Sequence, residues 1–114
     1  MFETDLILHP LPGRKWEVVD DFIYISDLAG RIIVPAGFVC DLNSIPRFLW
    51  WASTPADFPE AGVLHDWSYK NKHLPRSVAD RVYAEILTTL GMDSGRVAGR
   101  YMALRLFGWM AYNK

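Results

Sequence analysis

Lys15-Trp16-Glu17-Val18-Val19-Asp20-Asp21-Phe22-Ile23-Tyr24-Ile25-Ser26-Asp27-Leu28-Ala29-Gly30-Arg31-Ile32-Ile33-Val34 decides the fold. Lys15–Val19, Phe22–Ser26 and Arg31–Val34 are rich in Ile, Val, Phe, Tyr and Trp, the side chains that suit a pleated, half-buried surface. Asp20-Asp21 and Asp27-Leu28-Ala29-Gly30 separate them, both turn-forming compositions. Connections this short imply antiparallel neighbours, so the stretch predicts a small antiparallel meander. Pro35-Ala36-Gly37 breaks the third strand before Phe38-Val39-Cys40.

Beyond this region the period changes. Ser44-Ile45-Pro46 can open a short helix. Asp57-Phe58-Pro59 reads as the start of a second, running to about Asn71. Ser77-Val78-Ala79-Asp80 is close to a capping box and opens a third, which Gly91 ends. Asp93-Ser94 caps a fourth, Gly95 to Tyr112, with Val97, Tyr101, Leu104 and Gly108 as its buried stripe. Strands first and three to four helices afterwards make an α+β fold.

The chain has 114 residues, which suits a single domain over residues 1–114. At 51% apolar it can bury a core, and disorder is excluded. Its net charge of −1 argues against a nucleic-acid binder, although residues 1–57 carry −4 and residues 58–114 carry +3. Cys40 is the one cysteine, so an internal disulfide is impossible. The acidic start, Met1-Phe2-Glu3-Thr4-Asp5, lacks the basic region of a secretory signal. Tyr101–Tyr112 is the most apolar long stretch, and at twelve residues it is too short to span a bilayer.

Chemistry-bearing residues fall into three clusters: Asp41-Leu42-Asn43-Ser44-Ile45-Pro46-Arg47, His65-Asp66-Trp67-Ser68-Tyr69, and Ala79-Asp80. His65 and Tyr69 are four apart and share one helix face. His65 lies six residues before the expected helix end at Asn71, and Asp80 three after Ser77. At about 1.5 Å per residue, these depths are roughly 9 and 4.5 Å from the loop end of an antiparallel hairpin. Asp80 therefore falls within one turn of His65 and nearly level with Tyr69. Such a His–Asp pair can take a proton from water, with the carboxylate fixing the imidazole tautomer. Asp66, rotated about 100° from His65, is then free to hold a metal ion.

Plainer readings stand beside these. Asp66 can pair with Lys70, Asp80 can be a cap paired with Arg76, and His65 can be a buried structural histidine. Asp41 and Arg47 can form a loop-ordering ion pair. The five tryptophans, Trp50 and Trp51 among them, can lie in the core or at an interface.

Gly37-Phe38, Asp41, Ser44, Pro46-Arg47, His65-Asp66, Tyr69, Ala79-Asp80 and the closing Tyr101–Gly108 segment together resemble the DUF1353 family, a phage-encoded family of unknown function. The resemblance covers about residues 15–112 and implies phage or prophage origin. His65-Asp66-x-x-Tyr69, followed by a helix carrying Asp80, also looks like the active-site helices of phospholipase A2 enzymes. That likeness implies His65 as water-activating base, Asp66 as calcium ligand, and Tyr69 and Asp80 as supports. The glycine-rich calcium loop of those enzymes has no counterpart, since no Gly-x-Gly occurs; Asp41, Asn43 and Ser44 could offer oxygen ligands instead.

Two functions follow as expectations. The leading one is a virion-associated tail or capsid accessory component, made in the host cytoplasm and built into the particle. Trp50 and Trp51 would dock on other phage proteins or a second copy, and Ser44 and Arg47 would serve as binding residues. The alternative is a small hydrolase with catalytic His65, Asp80 and Tyr69, acting on an envelope lipid or ester. Asp66 and Asp41 would then hold calcium or another divalent cation. A third, a host-interaction module, would use a face formed by Arg96 and Arg100.

Overall fold

The computed structural model describes residues 1–13, 15–41, 59–72, 74–107 and 109–112. Its strands are β1 (Leu8–Leu11), β2 (Lys15–Val18), β3 (Phe22–Ser26), β4 (Gly30–Val34) and β5 (Val39–Asp41). Its helices are α1 (Pro59–Asn71), α2 (Arg76–Thr89), α3 (Ser94–Phe107) and the single turn α4 (Trp109–Tyr112). The fold is α+β, with antiparallel strands followed by helices. Ser44, Arg47, Trp50 and Trp51 lie outside the described residues, as does the short helix expected near Ser44.

The strands divide between two sheets instead of forming one continuous meander. β3 and β4 make a hairpin, while the other sheet has the order β1-β2-β5. The reason lies at the ends of β2. Val18 N–H donates to Phe38 O at 2.9 Å, and Gly37 N–H donates to Val18 O at 2.7 Å. An Asp21 carboxylate oxygen meanwhile accepts from Ala36 N–H at 2.8 Å and holds the turn that brings β5 back. Gly37 sits there at φ +92°, where a Cβ is strained. β1 carries Pro10 within Leu8-His9-Pro10-Leu11, and as an outer strand it tolerates a residue without N–H.

Alternation along β3 and β4 positions the core. Phe22, Tyr24, Ile32 and Val34 are buried, and Phe22↔Val34 and Tyr24↔Ile32 face each other across the ladder. The helices supply Val63, Leu64, Val82, Tyr83, Ile86 and Leu87 to the same cluster.

Two helix ends decide how the site is built. α2 begins at Arg76 with Pro75 in the N-cap position and no side-chain cap, so the capping box read at Ser77 is not formed. Asp80 is instead the fifth residue of the helix and turns inward. At the other end Met92 N–H donates to Leu87 O at 3.0 Å and Gly91 N–H to Thr88 O at 3.1 Å, with Gly91 at φ +97°. This is a Schellman termination, sealed by buried Met92 and Leu87. Gly91→Ala is expected to cost about 1–2 kcal/mol from the left-handed backbone alone. A gain in melting temperature would contradict it.

Asp93 caps α3 as expected, its carboxylate accepting from Arg96 N–H at 3.1 Å. Val97 and Leu104 are buried and Tyr101 half-buried. Arg100 is only 5% exposed, so it does not join Arg96 in a solvent face. Of the tryptophans described, Trp67 packs against the core and Trp109 is exposed. Among the described residues, no helix is long and apolar enough to cross a membrane.

Candidate functional site

The α1–α2 hairpin brings His65, Tyr69 and Asp80 together. His65 Nε2 lies 2.9 Å from Asp80 Oδ1, and the Tyr69 hydroxyl donates to the same oxygen. Arg105 Nη1, from α3, donates to Asp80 Oδ2 at 3.0 Å. Asp80 is fully buried, His65 is 6% exposed and Tyr69 is 3% exposed. One carboxylate thus joins three helices.

The electrostatics follow from that convergence. Burial pushes the Asp80 carboxyl upward. The hydrogen bond and charge of His65, the Tyr69 hydroxyl and Arg105 act against it, and together they hold Asp80 below its ordinary value. An ionised carboxylate only accepts, so His65 Nε2 must carry the proton in this contact. In the neutral ring the lone pair is then on Nδ1. Burial, then the bond to Asp80 and its charge, push the Tyr69 phenol up, so it stays a hydroxyl and a donor. The His65 ring is further bracketed by Tyr69 at 4.1 Å and, edge-on, Tyr83 at 5.1 Å between centroids.

Asp80 also has a pH signature. Its folded-state value lies below the ~3.9 of an unfolded chain, so its stabilisation is complete above that value and is lost as pH falls through the folded one. Urea midpoints taken downward from about pH 5 are expected to fall more steeply for the wild type than for Asp80→Asn. Parallel curves would mean that Asp80 does not link folding to protons.

Asp66 faces elsewhere. Its carboxylate lies 3.4 Å from Lys70 Nζ, the i,i+4 pairing that was the plainer expectation. Titration of the buried Cys40 thiol is pushed up chiefly by burial and then by the Asp66 charge. Asp41 is the last residue of β5, a strand that packs on α1. Among the described residues, no group of three His, Cys, Asp or Glu side chains is placed to hold a metal. Asn43 and Ser44, the further oxygen donors read from the sequence, lie outside the described residues.

Two arginines complete the surroundings of the site. Arg105 is the one charge in the apolar Tyr101–Tyr112 stretch; a cation alone in such a run signals a buried acceptor. Arg76 does not pair with Asp80. It donates to Leu104 O at 2.6 Å and Arg105 O at 2.7 Å, fastening the last turn of α3 beside the site.

The fold and site together define a small α+β domain built around a buried His–Asp–Tyr cluster. The chain belongs to the DUF1353 family of proteins of unknown function, whose family model matches residues 16–104. Comparison with curated proteins and with solved structures found no match.

Proposed function

We propose that the protein is a small phage-encoded hydrolase in which His65 activates water for attack on an ester of a cell-envelope substrate, lipids included. The observation that carries this proposal is the 2.9 Å contact between His65 Nε2 and an Asp80 carboxylate held ionised. It leaves Nδ1 as the base. Water gives its proton to Nδ1 as its oxygen adds to the carbonyl carbon. Asp80 stabilises the imidazolium, which returns the proton to the departing alkoxide. Tyr69 and Arg105 take up the remaining capacity of the carboxylate and fix its orientation. No step is assigned to a metal.

A panel of lipid and simple ester substrates, with and without divalent cations, tests the proposal with wild type and His65→Ala side by side. Hydrolysis by the wild type that disappears in the variant is expected. Equal rates in the two proteins, or none in either, would overturn it.

A second reading rests on a different observation. Met102, Leu106 and Trp109 are more than half exposed along α3 and α4, an apolar surface suited to docking in a virion assembly. Purified particles holding the protein at fixed copy number would support that role, and their lacking it would exclude it.

A further inference from the structure

A catalytic imidazole must meet its substrate, and this one is enclosed. His65 and Tyr69 are buried, and Asp80 is wholly so. In this arrangement no ester can approach the ring. Tyr69 stands between the cluster and α4. Its ring lies 4.1 Å from that of His65, and the Tyr112 ring of α4 packs edge-on against it at 5.2 Å and 88°. Tyr112 is half-buried, so it forms the outer layer over Tyr69.

Little holds α4 in place. A single turn is too short to keep its helical form alone. Of its side chains described, Trp109 is half exposed and Tyr112 turns inward. Lys72 Nζ donates to Tyr112 O and stands 4.2 Å from the centre of the Tyr112 ring. The Tyr112 hydroxyl reaches Leu74 O at 3.5 Å, which is long for a hydrogen bond. Lys72 and Leu74 both belong to the connection between α1 and α2.

Lys72 carries a second signal. Its backbone sits at φ +52°, the one positive φ outside glycine among the described residues. It directly follows the last residue of α1, a position where glycine or asparagine ordinarily takes the left-handed conformation. A strained residue persists where its surroundings hold it, and such residues gather at switches and clamps. What glycine would lack here is the ammonium that reaches Tyr112.

We propose that α4 is a strap, fastened to the α1–α2 connection by Lys72 and Tyr112, whose release uncovers Tyr69 and opens the His65–Asp80 cluster to substrate. The inference rests on the reading of His65 as a base, since it describes access to that site. An edge-on ring pair and one exposed cation–π contact together favour the closed form by a factor of about ten to a hundred. Open molecules are therefore a small standing fraction of the population.

Diethyl pyrocarbonate, which acylates an imidazole nitrogen carrying a lone pair, reads the opening without any substrate. Peptide mapping follows His65 apart from His9, which is exposed on β1 and serves as internal reference. The buried Cys40 thiol, followed with a disulfide reagent, reports opening of the whole fold. His65 of the wild type is expected to react at least about tenfold more slowly than His9, in keeping with the closed fraction. Tyr112→Ala is expected to speed His65 about tenfold, with His9 and Cys40 unchanged. Tyr112→Phe, which keeps the ring, should match the wild type. Lys72→Gly relieves the backbone but removes the clamp, and is expected to speed His65 several-fold.

The proposal is overturned if His65 of the wild type reacts as fast as His9, or if Tyr112→Ala leaves its rate unmoved. It is overturned equally if Cys40 accelerates in step with His65, or if Lys72→Gly stays as slow as the wild type. A protein that opens as described but cleaves no ester keeps the strap and loses the hydrolase reading. One that cleaves esters at the same rate with Tyr112→Ala, its His65 no more reactive, does the reverse.

Discussion

An Asp80→Ala chain is expected to lose about 3–5 kcal/mol of folding stability, the range for removing one partner from a buried charged cluster. The size follows from what is left behind. His65 and Tyr69 keep buried donors with no acceptor, and the Arg105 guanidinium loses its carboxylate. Arg105 is 34% exposed and can turn to water, which places the effect toward the lower end of the range. Domains of this kind are stable by only about 5–15 kcal/mol, so the variant would be marginal at physiological temperature. Asp80→Asn keeps an acceptor for His65 or Tyr69 and turns an amide toward Arg105, for a smaller loss of about 1–3 kcal/mol. Urea unfolding with an unchanged m-value measures both. A midpoint for Asp80→Ala close to that of the wild type would show that the three helices are held together by apolar packing alone.

The second large effect is on rate. His65→Gln is expected to reduce hydrolysis of any ester the protein cleaves by about two to four orders of magnitude, the usual contribution of a general base. Folding should suffer much less. Asp80 would keep the Tyr69 hydroxyl and Arg105, and the glutamine amide can still donate to it. The comparison must be made where circular dichroism shows both proteins folded. A His65→Gln enzyme as fast as the wild type, or a loss of rate matched by a loss of fold, would remove His65 from the chemistry.

The hairpin was legible because its geometry is local. Two helices joined by a short connection are antiparallel, and counting residues from the loop places Asp80 level with Tyr69 and one turn from His65. What was misread is the role at the start of α2. Ser77-x-x-Asp80 has the composition of a capping box, but a helix beginning at Arg76 carries Asp80 past the cap into the interior. Asp80→Asn therefore cannot be rescued by retained capping. Sheet order was illegible for a different reason. Strand composition around Asp20-Asp21 fits a tight turn, whereas the pairing of β2 with β5 depends on long-range bonds between Val18 and the Gly37-Phe38 backbone. Arg105 comes from a third helix, and no local spacing links it to Asp80.

The claim on which the rest depends is that Asp80 holds His65 as a base with its proton on Nε2 and its lone pair on Nδ1. Long-range proton–nitrogen NMR of the imidazole in the folded protein, above the pH at which the ring is charged, reads this directly. The account predicts Nε2–H for His65, with its signal moving in Asp80→Asn. A ring with its proton on Nδ1, or a His65 signal indifferent to the loss of the Asp80 charge, would contradict it.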